Sequence, residues 1–129
     1  MRQALVVDDE ADAREFVRAI LEPEGWQVEE APDGRAGVEK AKALAPDLIV
    51  LDVEMPGRNG FEVFADLRGA AETADAKIVM LTGVADKLGI RFSGEDMGDY
   101  FGKEPDAYCE KPIDPDTFKR IVQGVVGDG

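Results

Sequence analysis

Three short runs of mainly aliphatic residues limit the possible folds of this chain more than any other feature of its sequence. None of them alternates apolar with polar residues, which is typical of strands that are buried on both faces of a parallel sheet. The runs are Ala4–Val7, Asp47–Leu51 and Lys77–Leu81. Trp26–Glu29 does alternate, which favours an edge strand, and Asp106–Glu110 is the last candidate strand.

Segments with helical periodicity separate these strands. Apolar residues recur at spacings of three and four, which predicts amphipathic helices whose apolar stripes, Phe16 included, pack in the core. Asp114 can cap the last helix, and Pro115 can occupy its first position. A further helix is expected between Val84 and Tyr100, where the pattern is poor. The four clear stripes lie within Ala13–Leu21, Gly37–Leu44, Phe61–Leu67 and Phe118–Val125.

The alternation of strands and helices predicts an α/β fold with a doubly wound, five-stranded parallel sheet. The flavodoxin-like strand order 2-1-3-4-5, with helices on both faces, is the natural arrangement for such a chain. Its 129 residues suit one domain, and a hydrophobic content of 44% is sufficient for a packed core. We therefore expect residues 1–129 to form a single domain.

Charge and histidine content exclude several classes of function. The 28 acidic and 15 basic residues give a net charge of −13, which disfavours nucleic acid or an anionic membrane surface as a partner. Without histidine the chain has neither a Ser–His–Asp triad nor a histidine-ligated zinc site. It shows no signal-peptide pattern or membrane-length apolar run, and we expect a cytoplasmic protein. Its single cysteine, Cys109, cannot form an internal disulfide, which either fits a reducing compartment or is neutral to compartment.

Polar residues stand where the predicted strands end, and parallel strands end at the same edge of a sheet. Acids that follow strands one and three converge there, because these strands are neighbours in the predicted order. Oxygen donors without histidine or thiolate favour Mg²⁺, and a carboxylate beside the ion can attack phosphorus to form an aspartyl phosphate. The residues are Asp8, Asp9 and Glu10 after strand one, Asp52 after strand three, Thr82 after strand four and Lys111 after strand five.

Each of these residues also has a purely structural interpretation. The acids after strand one can cap a helix, and Asp52 can start a turn. Thr82 can bond a neighbouring loop, and Lys111 can be a solvated surface lysine, which is the common fate of lysine. Only their combination at four strand ends favours a site for a phosphoryl group.

Four motifs make the chain resemble the receiver domain of two-component response regulators. They are V-D-D-E at 7–10, L-D-V-E-M-P-G-R-N-G at 51–60, T-G at 82–83 and K-P at 111–112. The resemblance spans essentially the whole chain. It implies a stand-alone signalling switch without an output domain, which is not an enzyme that turns over small molecules. It implies a sensor histidine kinase or a histidine phosphotransfer protein as the phosphoryl donor, and a downstream protein as the target.

The resemblance assigns roles at the phosphoryl site. Asp52 is the phosphoacceptor, and Lys111 contacts the phosphoryl oxygens. Asp9 and Asp52 bind Mg²⁺ directly, together with the backbone carbonyl of Glu54. Asp8 acts on the ion through a water molecule.

The resemblance also implies a switch beside the site. Thr82 is the hydroxyl that moves toward the phosphoryl group, and Tyr108 matches the aromatic switch position, although a packed strand aromatic is the alternative. Pro56 and Gly57 shape the loop after strand three. The peptide bond that precedes Pro112 is expected to be cis.

The segment Gly83–Glu110 is longer than receiver domains usually have at this place. Several glycines between residues 89 and 102 predict a short or broken helix with a loop. Phe92, Tyr100 and Phe101 either pack back onto the core or form a docking surface for a specific partner.

Two other functions fit parts of this pattern. A small Mg²⁺-dependent phosphohydrolase of the haloacid dehalogenase type uses an aspartate nucleophile, but it needs a second aspartate where this chain has Glu54. A flavodoxin-like FMN binder needs a phosphate-binding loop after strand one, where this chain is acidic.

Overall fold

The computed structural model describes residues 2–53, 60–82, 106–111 and 113–127. The strands are β1 (Arg2–Val7), β2 (Trp26–Ala31), β3 (Leu48–Asp52), β4 (Lys77–Thr82) and β5 (Ala107–Glu110). They form one sheet in the order β2-β1-β3-β4-β5, and every neighbouring pair is parallel. The predicted α/β fold and its strand order are therefore confirmed.

The helices of the described residues are α1 (Ala11–Leu21), α2 (Gly34–Leu44), α3 (Gly60–Gly69) and α4 (Pro115–Val126). A 3₁₀ turn, Glu22–Glu24, follows α1 and ends at Gly25, whose φ of 94° suits glycine. Asp114 caps α4 as predicted, since its side chain accepts a hydrogen bond of 2.9 Å from the N–H of Thr117, and Pro115 is the first helical residue. None of the helices in these ranges is long and apolar enough to cross a membrane.

The core lies on both faces of the sheet, because successive strand residues point to opposite sides. On one face α2 and α3 cover alternate residues of the central strands, with Phe64 and Leu67 fully buried. On the other face α1 and α4 cover the remaining strand residues, with Leu21 and Phe118 buried. This double covering explains why the central strands are apolar without alternation.

One prediction about the core is wrong. Phe16 was expected to pack inside with the apolar stripe of α1, but 41% of it is exposed. The buried residues of that helix are Val17, Ile20 and Leu21, which share one side of α1. Phe16 precedes Val17 by one residue, and a helix turns by about 100° per residue, so Phe16 points away from the centre of the buried face.

Several predictions concern residues outside the described ranges. One is the helix expected between Val84 and Tyr100, and another is the cis peptide bond before Pro112. The remaining residues of this group are Glu54, Pro56, Gly57, Phe92, Tyr100 and Phe101.

Candidate functional site

The register of the sheet brings the predicted polar residues to one edge. Val7 of β1 pairs with Leu51 of β3, so Asp8 and Asp52 follow at adjacent positions. Asp52 in turn pairs with Leu81 of β4, one residue before the end of that strand. The carboxyl ends of the three central strands therefore converge, as the strand order required.

Lys111 follows β5 at this edge and contacts carboxylates at the ends of two other strands. Its Nζ is 3.0 Å from Oδ2 of Asp8 and 3.2 Å from Oδ1 of Asp52. Oε1 of Glu10 lies further away, at 3.9 Å. The structure thus brings together the lysine and both buried acids that the sequence analysis singled out.

The backbone places Lys111 beside the end of β4. Its N–H donates a hydrogen bond of 2.9 Å to the carbonyl oxygen of Thr82, which extends the pairing of β4 and β5 by one step beyond Glu110. Thr82 is buried, with 7% exposed. Lys111 and Thr82 are therefore neighbours at the same edge of the sheet.

The electrostatics of the site keep Lys111 charged. Burial by itself lowers the pKa of the Lys111 ammonium, because water stabilises the charged form. The negative charge of Asp52, together with the hydrogen bond and charge of Asp8, outweighs burial and raises this pKa above its ordinary value. At neutral pH the site therefore contains an ammonium group between two carboxylates.

The carboxylates differ in burial. Asp8 is fully buried and Asp52 is 3% exposed, whereas Asp9 and Glu10 face solvent. Oxygen atoms of Asp8, Asp9 and Glu10 lie within 4.8 Å of one another, an arrangement that suits a hard cation. Glu10 was among the acids predicted from the sequence to converge at this edge, although the ligand set implied by the resemblance leaves it out.

Gly60 is a structural part of the site that the sequence analysis did not single out. Its N–H donates a hydrogen bond of 2.7 Å to the carbonyl oxygen of Val53. A Cβ atom at this position would lie 2.4 Å from the carbonyl oxygen of Asp52 and 2.7 Å from Cα of Val53. Only glycine lets α3 begin this close to Asp52, and the glycine at the end of the L-D-V-E-M-P-G-R-N-G motif was the available signal.

Arg14 is a second residue that the sequence analysis missed. Its Nη1 donates a hydrogen bond of 2.7 Å to the backbone carbonyl of Asp8. The apolar periodicity of α1 carries no signal for this contact, because it depends on how α1 packs beside β1.

Tyr108 lies on β5, opposite Met80 of β4. It is half-buried and packs against the core cluster on the face of α2 and α3. This position satisfies the packing interpretation of Tyr108, and its role as a switch stays a prediction.

Residues 4–123 match the sequence pattern of one protein family, the response regulator receiver domain. The chain belongs to this family. It is a phosphorylation-activated signalling switch, and the family match does not favour the alternative of a phosphohydrolase.

Relatives of two kinds share this receiver domain. Protein PilH of Pseudomonas aeruginosa is 30% identical over 128 residues, which are 98% of each chain. The phosphate regulon transcriptional regulatory protein PhoB of Escherichia coli is 34% identical over 125 residues, or 97% of this chain. The match covers 52% of PhoB, so the chain spans about half the length of that regulator.

Solved structures agree with the receiver fold. The chemotaxis protein CheY4 of Vibrio cholerae superposes with a TM-score of 0.82 and 32% identity, and the match covers 97% of this chain and 98% of CheY4. The response regulator of Chloroflexus aurantiacus has a TM-score of 0.81 and 25% identity, with 97% of both chains covered. The architecture of this chain is thus that of CheY-like receiver domains.

Proposed function

We propose that this receiver domain accepts a phosphoryl group on Asp52. The observation that carries the proposal is the contact of Lys111 with both Asp52 and Asp8, at 3.2 and 3.0 Å. Asp52 is the buried carboxylate that ends β3, and it lies at the sheet edge where the other polar strand ends meet. A buried carboxylate held beside a cation is oriented for attack on phosphorus.

The acids beside Asp52 suit Mg²⁺. Asp8, Asp9 and Glu10 supply carboxylate oxygens within 4.8 Å of one another, and Mg²⁺ prefers such donors together with phosphate oxygens and water. When bound, the ion offsets negative charge on the transferring phosphoryl group. Asp9 and Asp52 are the proposed direct ligands, with the backbone carbonyl of Glu54, and Asp8 acts through water.

In the proposed transfer, a carboxylate oxygen of Asp52 attacks the phosphorus atom of a phosphohistidine. The new O–P bond forms as the N–P bond breaks, and the electron pair of the N–P bond returns to the imidazole nitrogen of the donor. Lys111 stabilises the charge that spreads over the phosphoryl oxygens. Since these 129 residues contain no histidine, they cannot carry the phosphohistidine themselves, and the proposed donor is a histidine kinase or a histidine phosphotransfer protein.

The phosphoryl group changes the charge of the site and thereby the conformation of its neighbours. The phosphoryl group carries a charge of about −1.5 to −2 at pH 7 and takes the place of the single negative charge of the Asp52 carboxylate. The proposed response is that the Thr82 hydroxyl and the Lys111 ammonium move toward the new oxygens and bias two surface states. Tyr108, which lies opposite Met80, is the proposed switch residue that changes its position when the surface changes state.

The signal leaves the domain through contact with a downstream protein. We place residues 1–129 in a single receiver domain and expect it to act in the cytoplasm. The net charge of −13 makes direct contact with nucleic acid or an anionic membrane unfavourable.

Incubation with acetyl phosphate and Mg²⁺, followed by intact mass measurement, tests the proposal. The wild-type protein and Asp75→Asn gain the mass of one phosphoryl group, whereas Asp52→Asn gains none. Asp75 is the matched control because it is an exposed aspartate in the turn that precedes β4. Equal modification of Asp52→Asn would place the acceptor on another residue. Sustained hydrolysis of p-nitrophenyl phosphate at enzymatic rates would instead support the phosphohydrolase.

A further inference from the structure

Four different segments hold the polar groups of Asp8. Its N–H donates to the carbonyl oxygen of Ala31 in β2 at 3.2 Å. One side-chain oxygen accepts from the N–H of Glu10 at 3.0 Å, and the other accepts from Lys111 at 3.0 Å. The backbone carbonyl accepts the hydrogen bond of 2.7 Å from Arg14. Asp8 is thus immobilised at the backbone as well as at the carboxylate.

Arg14 is itself fixed by a carboxylate of the edge strand. Its Nε lies 3.0 Å from Oε1 of Glu30, and only 16% of the arginine side chain is exposed. The guanidinium is planar, so Glu30 on one side and the Asp8 carbonyl on the other determine its orientation. The second oxygen of Glu30 lies 3.2 Å from Nε of Arg18, so Arg14 and Arg18 contact different oxygens of this carboxylate.

The contact of Arg14 with the Asp8 carbonyl reaches the neighbouring acid through the backbone. That carbonyl belongs to the peptide group that joins Asp8 to Asp9, and a peptide group is planar. Fixing the oxygen fixes the orientation of the plane, and with it the starting direction of the Asp9 backbone. Asp9 is exposed, so this backbone constraint is an effective way to hold its carboxylate near that of Asp8.

We propose that Arg14, oriented by Glu30, is a positioning residue that sets the affinity for Mg²⁺ of the acidic cluster formed by Asp8, Asp9 and Glu10. The inference rests on the proposed function, because it assumes that the cluster binds the ion. Arg14 touches neither the ion nor the phosphoryl group. It acts through the Asp8–Asp9 peptide, and it connects the edge strand β2 to the cation site.

Replacement of Arg14 should change the affinity for Mg²⁺ in opposite directions depending on whether its charge or its positioning role dominates, which makes the proposal testable. Arg14→Met removes a positive charge close to the acidic cluster, so electrostatics alone would strengthen cation binding. Loss of positioning would weaken it. Groups that orient metal ligands typically contribute about 10- to 100-fold to metal affinity, and we expect a loss of about tenfold.

Arg18→Met is the matched control. It lies on the same helix, removes the same charge and loses the same partner, Glu30. Its Nη2 donates to the carbonyl oxygen of Val28 at 2.7 Å, away from the acidic cluster. We expect Arg18→Met to lower the free energy of unfolding without weakening the affinity for Mg²⁺.

The measurement is a titration with MgCl₂ followed through the amide NMR signals of Asp9 and Glu10. If wild-type protein does not respond, the proposed metal site fails, and with it the basis of the inference. If wild-type protein responds and Arg14→Met binds as tightly or more tightly, only the positioning role is overturned. Equal weakening in Arg14→Met and Arg18→Met would also overturn it, because the effect would then reflect the packing of α1 on β2.

Phosphorylation by acetyl phosphate supplies a second readout. Arg14→Met raises the Mg²⁺ concentration for half-maximal rate about tenfold, while the rate at saturating Mg²⁺ stays close to that of wild type. Arg14→Lys guards against a misfolded Arg14→Met variant, since it keeps the charge. The guanidinium of Arg14 contacts Glu30 and the Asp8 carbonyl with two different nitrogen atoms, whereas a lysine has only one. Arg14→Lys should therefore also weaken Mg²⁺ binding. Wild-type affinity in folded Arg14→Lys would contradict the proposal.

Discussion

The Nζ atom of Lys111 lies 3.2 Å from Oδ1 of Asp52, although the strands at whose ends these residues lie are not neighbours. The lysine follows β5, the aspartate ends β3, and β4 runs between them. Because Asp52 is almost fully buried, its charge needs a partner, and the ammonium supplies one. A phosphoryl group on Asp52 would remove this carboxylate and offer new oxygens to the same ammonium.

Replacement of Lys111 is expected to destabilise the protein in the absence of metal. Lys111→Met leaves Asp8 and Asp52 buried without their shared cation. We expect the free energy of unfolding to fall by on the order of 2 kcal/mol, less than for a fully buried pair because 22% of the lysine side chain is exposed. Urea unfolding without metal measures the loss, and added Mg²⁺ should reduce it.

Lys119→Met is the control for this prediction. Lys119 lies 3.9 Å from Glu24, and both side chains are about 40% exposed. Exposed pairs contribute about 0–1 kcal/mol, so this variant should unfold close to wild type. A Lys111→Met variant as stable as Lys119→Met would show that Asp8 and Asp52 do not depend on the lysine.

Gly60→Ala should disturb the site through the backbone. The added Cβ meets the carbonyl oxygen of Asp52 and Cα of Val53, neither of which can rotate away. We expect a loss of about 1–3 kcal/mol in the free energy of unfolding, which is typical of overpacking, and slower phosphorylation by acetyl phosphate.

Gly124→Ala is the matched control in α4, since its Cβ would meet nothing within 4 Å. Because alanine favours helices over glycine by about 0.8–1.0 kcal/mol, this variant should be as stable as wild type or more stable. Equal stability of Gly60→Ala and wild type would mean that α3 can shift away from Asp52 without cost.

Asp114 should make the stability of the protein depend on pH in acid. Hydrogen bonds from the side chain and the backbone N–H of Thr117 lower the pKa of Asp114 below its ordinary value of 3.8. Because the folded pKa is the lower one, the cap stabilises the protein above pH 3.8 and this contribution is lost as pH falls through the folded pKa.

Asp114→Asn separates this titration from the cap itself, because asparagine caps helices about equally well and does not ionise. The difference in unfolding free energy between wild type and Asp114→Asn should decrease as pH falls below 3.8. Urea unfolding over this range measures it. A difference that stays constant would assign the acid dependence to other carboxylates.

Cys109 should react slowly with alkylating reagents in the folded protein. Burial raises the pKa of this thiol, and the negative charges of Glu110 and Asp114 raise it further. The reactive thiolate is therefore scarce near pH 8, and folding is disfavoured as pH rises above the ordinary value of 9.0. Iodoacetamide labelling followed by mass measurement should be faster in urea than in buffer. Similar rates in both would identify a reactive thiol.

The fold was predictable because its signals are local. Aliphatic runs without alternation predicted the buried strands, and the pair Asp114–Pro115 predicted the start of the last helix. The prediction that Phe16 is buried was wrong because the spacing of apolar residues along a helix does not show how much of the helix surface the core covers. Its neighbour Val17 is fully buried while Phe16 lies outside that boundary.

By itself, the sequence determined which chemical groups follow each strand, since Asp8, Asp52, Thr82 and Lys111 each stand directly at or after a strand end. Tertiary structure decided how these groups pair. Lys111 and Asp8 are separated by 103 residues and meet only because parallel pairing places their strands in one register. The contacts of Arg14 and Gly60 with the site likewise depend on how helices pack beside the strands. Such distances follow from the packing of the whole chain, so no local pattern encodes them.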